Sequence, residues 1–427
     1  MRIALVNPPW TFEHSIYFGC REPHLPLEYG SAKVLLEQEG HEAEIFDGHL
    51  FGLSLGELVK LMRSYAPDIT VVTTAPSYLF WRCAPPELRV PRQLLELLVG
   101  VDGLKVAIGP HMSTTPRATM QKLGVDLGVL GECEEALVEI ANGGKAISGT
   151  AERDGNDIRI HGAPRAAEFI HLPPIRWDAE WTDGHCHHHH RFDAPSDGPG
   201  AEVETSRGCP YHCTFCAKQN FRDGYRRRDL SNLLAEIDGH IANGVTYIYF
   251  IDEIFLPNRP LLEALLGRGI KFGVQTRIDL WKPDMIRLLG EAGCVSIEAG
   301  VESLTQEGRD TLEKLCRLST DELADRLILA RENVPFVQAN LIEMPGDDEE
   351  MVDRWRENLR AHGVWANDPV PLFPYPGSPD YRKLWGMPDD NAWERAVDYY
   401  LERYGHFSEI QEEQPYSLDR LERARAA

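Results

Sequence analysis

The chain runs to 427 residues, with 44 Lys or Arg against 67 Asp or Glu, a formal charge of −23. So acidic a surface argues against nucleic acid or an anionic membrane as partner, because both repel it, and leaves a cationic substrate or a basic protein compatible. Nine cysteines, three clustered at metal spacing and the rest scattered, are not a disulfide framework and fit a reducing cytoplasm.

The length accommodates two domains, each with its own core. Met1-Arg-Ile-Ala-Leu-Val-Asn-Pro-Pro9 has too short an apolar run for a signal peptide and reads as a strand stopped by prolines. No run approaches the roughly 20 apolar residues that span a bilayer. β-Branched runs recur between helical patterns at Ile3–Val6, Glu42–Phe46, Ile69–Thr73, Lys105–Ile108 and Leu127–Leu130. Five strands separated by helices predict an α/β fold, a doubly wound parallel sheet of Rossmann type over residues 1–145. Such sheets bind ligands at the carboxyl ends of their strands, here Asn7-Pro8-Pro9, Thr73–Ser77, Gly109-Pro110-His111 and Gly131-Glu132-Cys133-Glu134.

Residues 146–200 are rich in Gly, Pro, Asp and His and read as a linker, with a hairpin around Asp154-Gly155-Asn156. The tract His185-Cys-His-His-His-His190 offers imidazole and thiolate ligands to a transition metal, or is a polar loop without a fixed metal role.

Thr205-Ser-Arg-Gly-Cys-Pro-Tyr-His-Cys-Thr-Phe-Cys216 then sets three cysteines at C-x3-C-x2-C spacing behind a Gly and a Pro. Structural zinc normally takes four ligands as two separated pairs, and no second pair lies nearby. An iron–sulfur cluster can be held through three irons by Cys209, Cys213 and Cys216, leaving the fourth open to a substrate group. A zinc site or three unconnected thiols is the competing reading. With Phe215 between the last two cysteines and a strand-like run before the loop, the stretch resembles the signature of radical S-adenosylmethionine (SAM) enzymes. That resemblance implies a 4Fe–4S cluster whose unique iron chelates SAM, with an electron from the cluster yielding a 5′-deoxyadenosyl radical. The preceding domain resembles the cobalamin-binding domain of one radical SAM subfamily. It lacks an Asp-x-His-x-x-Gly loop, and it has Ile108-Gly-Pro-His111 and Gly131-Glu-Cys-Glu134 where relatives often carry a further glycine. A Cβ there would keep a large ligand off the backbone.

From residue 201 strands are expected near Glu202 and at Thr246–Ile251, Lys271–Thr276, Cys294–Ala299, Phe336–Ile342 and Ala366–Leu372, with helices such as Leu230–Ala242, Pro283–Ala292 and Asp348–Ala361 between them. This is a partial (β/α)6 TIM-type barrel over 201–388, followed by a helical extension over 389–427 whose charged end, Leu418–Ala427, reads as solvated. Active sites of such barrels lie at the strand carboxyl ends, and alternation along the fourth strand points Ser296 and Glu298 inward. By resemblance, Asp252 and Glu253 take the place of the segment holding the SAM amino group. Gln275 and Arg277 fall among the polar contacts to SAM, and Glu298 with Glu302 faces its ribose. An internal ion pair bracing the barrel is the alternative for Arg277 and Glu298. Phe221–Arg228 is a basic island, suited to lowering thiolate pKa values or receiving an acidic electron donor such as flavodoxin, or simply a solvated loop.

Radical SAM enzymes share initiation and differ in the fate of the radical. In one reading, favoured by the missing glycines, the absent axial-histidine loop and the acidic balance, the first domain no longer holds cobalamin. The chain then resembles the radical SAM diol dehydratases of aminoglycoside antibiotic biosynthesis, carbon–oxygen lyases of the apramycin-pathway type that act on paromamine. Glu204, Glu343 and Asp368 would then bind substrate ammonium groups, while Tyr225, Tyr249, Glu298 and Glu343 are candidates for moving protons. That family also implies an NADPH-dependent reductase acting on the ketone product. In the other reading the first domain holds cobalamin and the enzyme methylates an unactivated carbon. A corrinoid-binding or iron–sulfur sensor without turnover is a third class, which leaves the polar barrel ends unexplained.

Overall fold

β1 (Arg2–Asn7) is buried along nearly its whole length, as a central parallel strand covered on both faces must be. The computed structural model describes residues 1–17, 21–77, 83–184, 198–222, 224–404 and 413–424. β1 pairs in parallel with β2 (Glu42–Asp47) and β3 (Ile69–Thr73), and the parallel sheet continues through β4 (Leu104–Ile108) to β5 (Leu127–Val129). The five expected strands are therefore present. The hairpin expected in the linker is also present, but it belongs to this sheet. β6 (Thr150–Asp154) pairs antiparallel with β5, and β7 (Asp157–His161) pairs with β6. The first sheet thus runs to residue 161 rather than stopping near 145, and the hairpin covers what would be an open edge on the short β5.

The second sheet starts at β8 (Gly200–Val203). A two-residue ladder comes next, β9 (Ser206–Arg207) against β10 (Arg226–Arg227). Then come β11 (Tyr247–Phe250), β12 (Lys271–Thr276), β13 (Cys294–Glu302), β14 (Phe336–Leu341) and β15 (Trp365–Ala366). The six long-range strands are parallel, with β8 at one edge and β15 at the other, giving the partial barrel. β15 is far shorter than the expected 366–372 run. Pro369 and Pro371 lack the N–H a ladder needs, so pairing resumes only as an isolated bridge between Ile342 and Val370.

The linker is less loose than its composition suggests. Ile175 and Trp177 are buried in one apolar cluster that runs from Leu5 and Val71 of the first sheet to Phe250 and Ile297 of the second. Gly30 permits this, since a Cβ there would sit 2.8 Å from the Trp177 ring. The His-rich tract, 185–190, lies outside the described residues.

The helix Ala392–Arg403 buries Trp393, Ala396, Val397 and Tyr400. The supposedly solvated end is also structured, because Leu418 and Leu421 fall on one face of the helix Leu418–Arg423 and are buried. It docks on the first domain, where the Lys122 ammonium lies 2.6 Å from Glu394 and 3.1 Å from Glu422. Among the described residues no helix is long and apolar enough to cross a membrane. Leu421→Ala should cost about 2–4 kcal/mol in denaturant unfolding, the usual penalty for emptying a buried leucine site. Arg423→Ala, which removes an exposed ion pair with Asp419, should change stability by less than about 0.5 kcal/mol.

Candidate active site

The β9–β10 ladder ties together the two ends of the loop that carries the three cysteines. Gly208 enters that loop at φ +76°, and a Cβ would approach the Gly224 carbonyl to 2.2 Å, so a glycine is required there. Its N–H donates to Glu253 Oε2 at 2.8 Å. Further on, the Thr214 N–H donates to the Leu312 carbonyl (3.1 Å), the Thr214 hydroxyl to Asp380 Oδ2 (2.9 Å), and the Asp380 N–H back to the Thr214 carbonyl (2.9 Å). The loop is thus braced by barrel segments on several sides.

Cys209, Cys213 and Cys216 are all half-buried. Burial pushes the Cys213 thiol up, while the nearby Lys314 and Arg277 cations oppose the rise. Among the described residues no three His, Cys, Asp or Glu side chains converge on one point, as a lone ion would need. A four-iron cube makes no such demand, since each cysteine holds a different iron.

Arg277 sits beside this loop. It forks onto Asp279 (3.2 and 2.8 Å) and lies over the Tyr211 ring at 4.1 Å. Its Nη1 is buried without an acceptor among the described residues. An orphaned guanidinium donor near the Cys213 thiol is ready for an anionic or hydroxyl-bearing ligand, which fits SAM. Glu302, paired with the buried Lys314, holds φ +64°. That left-handed backbone typically costs a non-glycine residue about 1–3 kcal/mol and concentrates at functional sites.

Across the barrel, register aligns Gln275 with Glu298, Glu298 with Gln338, and Gln338 with Trp365. The alternation expected of β13 holds: Ile297 and Ala299 join the apolar core, while Glu298, Gly300 and Glu302 are half-buried. Gln338 donates through Nε2 to Asn340 Oδ1 at 2.5 Å, and its Oε1 is buried without a donor among the described residues.

Other candidates lie elsewhere. Asp252 accepts from the Thr205 N–H (2.7 Å) and from the Thr205 and Ser206 hydroxyls, so it grips the stem of the cysteine loop. Burial lifts its pKa to about 7 against those donors. Phe215 is half-buried in the loop, Tyr249 is buried on β11, and Tyr225 accepts from Arg227 Nε at 2.9 Å beside the ladder. Glu204, Glu343 and Asp368 do not form one carboxylate cluster. Glu204 is held by Arg207 and Arg222 at 2.7 and 2.8 Å, and these overcome burial to hold its pKa near about 2. Asp368 pairs with Arg356 of the helix Glu349–Ala361. Glu343 is exposed and raises the pKa values of Tyr400 and Tyr404, where burial is the larger cause. The basic island points largely inward: Arg222 meets Glu253 (2.6 Å), Arg226 meets Glu132 (2.6 Å) and Arg228 meets Glu236 (2.7 Å). Glu132, Glu134, Tyr211 and Lys314 were not singled out as site residues from sequence.

At the carboxyl edge of the first sheet, Ile108 and Cys133 pack into the apolar core, so neither side chain stands where a ligand would lie. Gly109 and Gly131 serve close packing within the protein, because a Cβ would approach Thr74 Oγ1 to 2.4 Å and the Arg165 carbonyl to 2.2 Å. His111 is buried against Trp393, with ring centroids 4.1 Å apart, and burial lowers its pKa to about 3. Its Nε2–H is spent on the Pro85 carbonyl at 2.8 Å. The Ser77 and Tyr375 hydroxyls are buried without partners among the described residues.

A half-open βα barrel with a three-cysteine loop and a Rossmann partner defines a class of cluster-bearing enzyme. Residues 203–359, the barrel, match the model of the Radical SAM superfamily, and that match implies a 4Fe–4S cluster and SAM as the cofactors. It is 26% identical over 403 residues to an uncharacterized methyltransferase of Pyrococcus horikoshii, covering 90% of this chain and 82% of that protein. It is 27% identical to the anaerobic magnesium-protoporphyrin IX monomethyl ester cyclase of Cereibacter sphaeroides, over 77% of this chain and 55% of that one. Its fold matches the methyltransferase TsrM of Kitasatospora setae, solved with cobalamin and a 4Fe–4S cluster, with TM-score 0.68 at 19% identity, covering 89% and 76% of the two chains. It likewise matches the cobalamin-dependent enzyme OxsB, solved with aqua-cobalamin and SAM, with TM-score 0.68 at 18% identity, covering 92% and 63%.

Cys213→Ala should abolish 5′-deoxyadenosine formation after anaerobic reconstitution and lower bound iron. Arg277→Met should weaken SAM binding about 10- to 100-fold, the worth of a buried hydrogen bond to a charged group, read by equilibrium binding to the reconstituted protein. Because the folded pKa of Asp252 is raised, its contribution to stability is full below pH 3.8 and is lost as pH rises through about 7. Asp252→Asn should therefore flatten the fall in unfolding free energy between those values, measured as wild type minus variant.

Proposed function

We propose that the protein is a cobalamin-dependent radical SAM methyltransferase acting on an unactivated carbon. The observation that carries this reading is likeness across both domains, rather than the barrel alone, to two enzymes solved with cobalamin bound. The methyltransferase from Pyrococcus horikoshii, matched along most of its length, supports the same direction.

The first sheet is compatible with a corrinoid. The case for dehydration leaned on lost glycines, yet Ile108 and Cys133 turn into the core and leave the carboxyl edge unobstructed by their side chains. Ser77 lies just beyond β3 at that edge, and Tyr375 lies close enough to Cys83 of the first domain for the thiol to raise its pKa, burial being the larger cause. Each hydroxyl lacks a partner among the described residues, which a corrin amide would supply. When bound, the cluster with SAM supplies a carbon-centred radical and the corrinoid supplies the methyl group. The chain's own residues bind and orient: Arg277 presents Nη1 to SAM, Asp252 and Glu253 fix the loop stem, and the row Gln275–Glu298–Gln338 presents polar groups to substrate inside the barrel.

Anaerobically purified protein incubated with hydroxocobalamin and desalted should retain about one corrinoid per chain by its visible spectrum. With SAM and a reductant, methyl label should pass from SAM to the bound corrinoid before any substrate is added. Ser77→Ala with Tyr375→Phe should weaken retention about 10-fold or more, as loss of two hydrogen bonds predicts. No retention, together with a dehydrated product formed without corrinoid, would replace this reading with the lyase one.

A further inference from the structure

Where the first domain meets the cysteine loop, three guanidiniums and four carboxylates are packed together out of water. Arg207 Nη1 lies 2.7 Å from Glu134 and 3.6 Å from Glu132, and its Nη2 lies 2.7 Å from Glu204. Arg222 reaches Glu253 at 2.6 Å, Glu204 at 2.8 Å and Glu132 at 3.4 Å. Arg226 closes the outer side with both terminal nitrogens on Glu132, at 2.6 and 3.0 Å. Arg207, Arg222, Glu132 and Glu134 each expose 1% or less of their side chains.

Two properties distinguish this assembly from ordinary glue between domains. First, its arginines come from both flanks of the cluster loop: Arg207 stands two residues before Cys209, and Arg222 and Arg226 lie beyond Cys216. Second, Glu253 is shared, one oxygen bonded to Arg222 and the other to the Gly208 N–H, which directly precedes the first ligand cysteine. A connected path runs from Glu132, through Arg222 and Glu253, to the backbone N–H of Gly208, the residue before Cys209. Burial alone would raise the Glu132 carboxyl, but Arg207, Arg226 and Arg222 outweigh it and keep it ionised. Glu134 is pushed up by burial, with Arg207 opposing and Glu132 adding to the rise.

We infer that Glu132 and Glu134, although they belong to the first domain, are positioning residues for the iron–sulfur cluster. They hold the two flanks of the cysteine loop at fixed separation and place fixed charge near the cluster, whether or not a corrinoid is bound. The inference rests on the cluster site and is independent of the methyltransferase reading.

The test uses the full-length chain, reconstituted with iron and sulfide in the absence of cobalamin. Glu132→Gln should retain less iron than wild type, alter the electron paramagnetic resonance signal of the reduced cluster, and move its midpoint potential in the positive direction, because a nearby negative charge is lost. Glu132→Asp should recover part of each change. The control is Lys122→Met, which breaks the contact with Glu394 and Glu422 elsewhere between first domain and C-terminal helices. It should leave spectrum and potential unchanged even if it lowers the melting temperature. Should Glu132→Gln not fold, Arg226→Met removes the outermost partner of Glu132 and is read by the same three measurements, with the potential now moving in the negative direction because a positive charge is lost. Wild-type iron content, signal and potential in the folded Glu132 or Arg226 variant would overturn the inference, as would equal changes in Lys122→Met.

Discussion

Charge paired in the absence of water fixes how the cysteine loop is presented. Such pairs are seldom a net source of stability, because stripping solvent from seven ionised groups costs about as much as their attraction returns. They are strict about arrangement, however, since moving one guanidinium leaves a carboxylate stranded. The cysteine loop is thereby held from both sides, by Glu132 and Glu134 from the first domain and by Asp252 and Glu253 from the barrel. The two domains are therefore joined at the place where the chemistry begins.

The barrel interior shows the complementary principle. Its walls between strands and helices are apolar, with Ile297 and Ala299 facing outward, while the inner row Gln275–Glu298–Gln338 is polar at matched register. Polar groups in such a row are useful where a ligand completes their bonding, and the Gln338 carbonyl and the Arg277 Nη1 are two buried atoms still lacking a partner among the described residues. The left-handed Glu302 at the end of β13 adds local strain at the same rim.

Much of this was legible in the sequence because it depends on local spacing. Cys209, Cys213 and Cys216 must stand at short fixed intervals to grip one cluster, and β-branched runs announce strands wherever they occur. The features that escaped depend on distant pairing. Glu132 and Arg226 are 94 residues apart, and neither has a neighbour that foretells the other, so Glu132 read as part of a ligand loop and Arg226 as part of a surface patch. The substituted glycines say less about a ligand than their side chains suggest, for a related reason. Sequence shows that Ile108 and Cys133 carry side chains, but only the fold shows those side chains entering the core. Two errors were avoidable. Pro369 and Pro371 forbid a long sixth strand, and Leu418 with Leu421, one turn apart, already marks an apolar face in the charged tail.

That tail has an implication for synthesis on the ribosome. The His14 N–H donates to Glu413 across 399 residues of chain, and nearby the Gln93 side chain donates to the Ala424 carbonyl. First domains ordinarily fold as they emerge, ahead of the domains translated after them. Here the surface around His14, Gln93 and Lys122 stays uncovered until residues 413–424 have been made, so this domain is completed only after the barrel has been synthesised. The nascent chain therefore spends the whole translation of its barrel with that patch exposed.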